Sequence, residues 1–135
     1  MTASVDTTPL PHWETVPADL KAAIRDDNPV LVMESETLYS VKGEVPDGDH
    51  VVELGKAKVV REGTDVTVVA YSRMTHVAMD VATQLEKKGI SVEIVDPRTL
   101  RPLDLPAIIK SVKKTGACVT VELGYPTCGV GAELA

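Results

Sequence analysis

The residues best placed to do chemistry lie in one loop, 95–104, "VDPRTLRPLD". Arg98 and Arg101 sit there between Asp96 and Asp104, and Pro97 and Pro102 stiffen the turn. A guanidinium is a planar fork that fits a carboxylate or a phosphate. A phosphate site usually adds glycines or a helix N-terminus free of competing acid. Here acids flank both arginines, so internal or intersubunit ion pairing is the simpler expectation. Arg98, Arg101 and Asp104 are therefore structural or interface candidates.

The other reactive groups form no constellation. "GVG" at 129–131 lies between a strand-like and a helix-like run, where backbone amides could cradle phosphate. No third glycine follows, and close packing of loop against sheet explains the pair as well. Cys128 stands near a helix start that could lower a thiol pKa, but no base partner is evident. Cys118, inside an apolar run, reads as a small hydrophobe. His76 opens a helix-like segment and suits a surface or hydrogen-bonded role better than that of a catalytic base. His12 and His50 make no ligand cluster, and Trp13 is either a packing anchor or mobile. Walker, zinc-protease, paired-cysteine and nucleophile-elbow patterns are absent.

The elements that position these residues follow from periodicity. Residues 1–17 carry Thr, Pro and Ser without rhythm and read as a tail or linker. "ADLKAAIRDD" predicts a short helix with Leu20, Ala23 and Ile24 on one side. The run Val30–Met33 predicts a strand buried on both faces. Residues 40–55 are turn-rich and form a linker. Strands are expected over 65–72, 91–96 and 117–122. Helices are expected over 76–88, with Val77, Val81 and Leu85 inward, and over 105–114. Gly89 and Gly116 stand where left-handed helix stops belong, and Asp104 suits an N-cap with Pro106 in the first turn. A further helix begins within "CGVGAELA". Strands alternating with helices imply an α/β fold, a mostly parallel sheet with helices on both faces. Three strands are few for such a sheet, so the domain is expected to be cut short.

Composition bounds the partners. The chain has 135 residues, enough for one core. Fourteen basic residues against 20 acidic ones give a net charge of −6, which argues against nucleic acid. No apolar run is long enough for a membrane span. The N-terminus has neither a signal pattern nor the arginines of a presequence, and two cysteines make a disulfide framework improbable. A reducing cytoplasm is the expected setting.

Three stretches together carry a resemblance: "GKAKVVREGTDVTVVAYSRM", "VEIVDPRTLRPLD" and "VTVELGYPTCGVGAE". They resemble the transketolase C-terminal domain, in the form found in beta subunits of 2-oxo acid dehydrogenase components, the pyruvate dehydrogenase type in particular. The upstream "LKAAIRDDNPVLVMESETLYS" is similar to the end of that subunit's pyrimidine-binding domain. The resemblance implies a remnant of that domain at 18–39 and a truncated transketolase C-terminal-like domain at 56–135. It implies an assembly that decarboxylates pyruvate on thiamine diphosphate and magnesium and acetylates lipoyl. Its partners would be an alpha subunit and a dihydrolipoyl acyltransferase core, with homo-oligomer formation. Branched-chain 2-oxo acids, acetoin and deoxyxylulose-phosphate synthesis are the alternatives, as is a stand-alone association module. No catalytic, cofactor-binding or metal-binding residue of the family falls on a position of this chain, so none bound by this chain alone is expected.

Overall fold

The computed structural model describes residues 2–5 in their backbone, 18–42 and 49–135. Its elements in chain order are β1 (Thr2–Val5), α1 (Ala18–Arg25), β2 (Val30–Met33), β3 (Lys58–Arg61), β4 (Val66–Ala70), α2 (Arg73–Glu86), β5 (Val92–Asp96), β6 (Thr99–Arg101), α3 (Leu105–Thr115), β7 (Cys118–Val121) and α4 (Val130–Leu134).

The larger sheet has the order β3-β5-β4-β7, with β4 parallel to both β5 and β7. This is the mostly parallel α/β sheet that the alternation of elements predicts. The antiparallel edge strand β3 was not expected, because "KVVR" is short and charged at both ends.

Side-chain alternation divides the central strands between two helices. Val66, Val68 and Ala70 of β4, with Val92 and Ile94 of β5, pack beneath α2 through Ala78 and Ala82. Val69 and Val95 face the other way and pack under Ile108 of α3. Each fully buried Val or Ile here contributes about 1.5–3 kcal/mol. Layers on both faces explain why every residue of β5 is buried.

The caps agree with the sequence. The Asp104 side chain accepts from the Ala107 amide, and Gly116 ends α3 in the left-handed region at φ 79°. Gly89, also at φ 79°, follows the last turn of α2, where Ile90 N donates to the Leu85 carbonyl at 3.1 Å.

The apolar faces depart from expectation. Helix α2 buries Thr75, Ala78 and Ala82, whereas Val77 and Val81 lean outward, Val81 being 46% exposed. Bulk drew the expected stripe one position away from the true one. The small residues Ala78 and Ala82 meet the sheet at Ala70, Val92 and Ile94. Helix α1 likewise buries Asp19 and Ala22, and Ile24 is exposed.

Strand β2 is not buried on both faces: Leu31 is 52% exposed. It belongs to a separate three-stranded sheet, β2-β1-β6. Cys118, read as a small hydrophobe inside an apolar run, lies on β7 and is exposed there because β7 is an edge strand. The stretch 1–17, expected to be a tail or linker, contributes β1. The helix expected to begin at 76 begins at Arg73. His12, Trp13 and residues 43–48 of the turn-rich 40–55 region lie outside the described residues.

Candidate functional site

The loop 95–104 grips the start of the larger sheet's domain. Arg98 takes a left-handed backbone, φ 54°, which lets the chain leave β5 and enter β6 in the other sheet. Three bonds then hold residues 55–57. Thr99 Oγ1 accepts from Gly55 N at 3.0 Å, Arg98 Nε donates to the Lys56 carbonyl at 3.0 Å, and Asp104 Oδ2 accepts from Ala57 N at 3.0 Å. Gly55 needs its own left-handed conformation, and a Cβ there would meet Pro102 Cγ at 2.9 Å.

The flanking acids of this loop bond to backbone amides. Asp104 uses its two oxygens on the Ala107 and Ala57 amides. Asp96 Oδ1 accepts from the Arg98 amide at 2.9 Å. Arg101 is exposed on β6 and, among the described residues, bridges to neither acid.

A second cluster lies between the sheet and α3. Glu93 is 2% exposed, on the β5 face turned to that helix. Its Oε1 accepts from Ser111 Oγ at 2.5 Å, and its Oε2 accepts from Lys114 Nζ and from Gly63 N at 3.3 Å. Thr67 Oγ1 links Ser111 and Thr115, each at 2.7 Å, and Lys114 also reaches Glu62 at 2.6 Å. Burial alone would raise the Glu93 carboxyl. Donation from Lys114, Ser111 and Gly63 outweighs it and holds the group well below the usual carboxylate range. A buried charge with its donors supplied in this way is a structural device.

Ligands of parallel α/β sheets gather at the carboxyl ends of the strands. In this chain Tyr71 and Glu122 follow β4 and β7 there, and the phenol donates to Glu122 Oε2 at 2.8 Å. Burial, then the bond to this carboxylate, pushes the Tyr71 phenol up to about 12. Glu122 also accepts from Val130 N at 3.1 Å and Gly131 N at 3.0 Å. The amides considered for phosphate are thus occupied by the chain's own carboxylate. A Cβ on Gly129 would lie 2.4 Å from Glu122 Oε1, and one on Gly131 would lie 2.7 Å from Thr120 Oγ1. Both glycines serve close approach to Glu122. Cys128 beside them is exposed, with φ 62°.

Among the described residues no group of three His, Cys, Asp or Glu could hold a metal ion. With the 130–131 amides taken, the described residues do not fit a magnesium–diphosphate group. No helix among them is long and apolar enough to cross a membrane.

Residues 55–135 match the family model described as transketolase, C-terminal domain, and that match begins where the loop's grip begins. The chain belongs to this family. It is 53% identical to the pyruvate dehydrogenase E1 component subunit beta of Rhizobium meliloti, over 86% of this chain and 25% of that protein. It is 50% identical to the mitochondrial subunit beta of Dictyostelium discoideum, over 85% of this chain and 33% of that protein. An acetoin:2,6-dichlorophenolindophenol oxidoreductase subunit beta from Cupriavidus necator is 44% identical over 83% of the chain. The chain thus spans a quarter to a third of the length of these relatives. Among solved structures, a "split gene transketolase, inactive beta4 tetramer" superposes with a TM-score of 0.75 at 31% identity. That match covers 98% of this chain and 42% of the other.

The sequence reading passed over Tyr71, Glu93, Ser111 and Glu122. One signal was available for Glu93: an acid within "SVEIVD", whose neighbours all belong in a core, requires partners. Glu122 carried a weaker one, an acid at a strand end shortly before paired glycines.

Proposed function

We propose that this chain is part of the beta subunit of a thiamine-diphosphate-dependent pyruvate dehydrogenase. In that enzyme residues 56–135 support subunit assembly, and the whole assembly decarboxylates pyruvate and acetylates lipoyl. The observation that carries this reading is the level of identity, about half of all positions, to E1 beta subunits over most of the chain. The exposed Arg101 and the clamp around Arg98 and Asp104 are consistent with a rigid surface for subunit contact. The partners are an alpha subunit and the dihydrolipoyl acyltransferase core, and the compartment is the bacterial cytoplasm. Thiamine diphosphate and magnesium are held by the assembly, outside the residues described here. The acetoin-acting relative keeps acetoin as the competing substrate.

A second reading is a non-catalytic association module, favoured by the solved neighbour, described as an inactive tetramer. The folded chain is mixed with an E1 alpha subunit, its mass is recorded by light scattering, and pyruvate decarboxylation is assayed with cofactor. A mixed complex supports the first reading. Self-association without any mixed complex overturns it in favour of the second.

A further inference from the structure

Among the described residues, β1 is the only strand of the smaller sheet with a neighbour on each side. It runs parallel to β2, with Thr2 opposite Val30 and Val5 opposite Met33. On its other edge it runs antiparallel to β6, with Ala3 opposite Arg101 and Ser4 opposite Thr99. Among the described residues β2 and β6 find no other sheet partner. Strand β2 belongs with α1, which packs on it, whereas β6 belongs to the loop that grips residues 55–57. The smaller sheet therefore joins two parts of the chain through four residues from its extreme N-terminus.

We propose that Thr2–Val5 is a strand-addition strap. It fastens the α1–β2 unit to the 55–135 domain and covers the edge of β6 that would otherwise be open to an incoming strand. Its sequence, Thr-Ala-Ser-Val, has neither a charge nor a proline, so every residue can donate to a ladder. The twelve residues between Val5 and Ala18 give the strap a tether, so release does not separate it from the chain. A four-residue strap has few ladder bonds to break and so opens at less cost than the layered core.

The test is hydrogen exchange on the full chain, comparing wild type with Ala3→Pro/Ser4→Pro, which removes two ladder donors. Exchange at 30–33 and 99–101 is expected to speed up by at least about tenfold, the factor for one to two lost ladder bonds. Protection at 66–70 and 92–95 should stay unchanged. Equal protection of 30–33 and 99–101 in both proteins would overturn the proposal. If the whole chain loses protection, a protease site placed within 6–17 of the wild type, cut after folding, decides. The cut peptide should remain bound and be displaced by excess synthetic peptide of residues 1–8. Its immediate loss, with 30–33 still protected, would also overturn the strap.

Discussion

The Tyr71 hydroxyl donates to Glu122 Oε2 at 2.8 Å, joining the carboxyl ends of two adjacent parallel strands. Tyr71→Phe should cost about 0.5–1.5 kcal/mol, the net worth of one hydrogen bond. The folded-state pKa, about 12, lies above the ordinary value of 10.0. The stabilisation is therefore complete below pH 10 and lost as pH rises toward 12. Urea midpoints of wild type and Y71F, taken at pH 8 and pH 11, should converge at the higher pH. A constant gap would refute the assignment.

Glu93 predicts the opposite limb. Its folded-state carboxyl lies below the ordinary 4.5, so its stabilisation is present above that pH and lost as pH falls below it. Glu93→Gln should flatten the acid limb of the thermal-stability profile. Ser111→Ala leaves the buried carboxylate short of a donor and should cost about 1–3 kcal/mol at neutral pH. An unchanged acid limb in E93Q would show that other carboxylates control acid unfolding.

Gly63 lies against the backbone of β5. A Cβ there would stand 2.2 Å from Glu93 N and from the Val92 carbonyl carbon, and neither can swing aside. Gly63→Ala should cost about 1–3 kcal/mol or more, as overpacking does. It should also weaken the Gly63 amide bond to Glu93. Chemical denaturation reads the first effect, and the shifted acid limb reads the second.

The two faces of α2 give a paired prediction. Val81→Ala, at an outward position, should change stability by less than about 0.5 kcal/mol. Ala82→Leu, at a site 1% exposed against Ala70 and Ile94, should cost about 1–3 kcal/mol. The reverse ranking would restore Val81 to the core.

That pair also shows what the sequence could convey. The existence and order of β4, α2, β5, α3 and β7 were legible, because apolar runs and left-handed glycines punctuate them. Which face of α2 turns inward was not. Hydrophobic bulk marks a core only when helix and sheet are far enough apart to need it, and that spacing is a tertiary property. The loop 95–104 was legible as architecture, yet its partners were not: Thr99, Arg98 and Asp104 bind the backbone of residues 55–57, and backbone groups leave no trace in side-chain patterns. Strand β1 was invisible for a related reason, since its ladder depends on β2 and β6 being unpaired.

Glu122 is tethered beside the amides of Val130 and Gly131. A tethered group acts at an effective concentration of the order of millimolar or higher. A free anion arriving at those amides competes with a resident that never diffuses away. It can enter only by swinging Glu122 out, and that same motion parts the carboxylate from the Tyr71 hydroxyl. Occupancy at one strand end would then be reported at the next, as a tyrosine that ionises at lower pH.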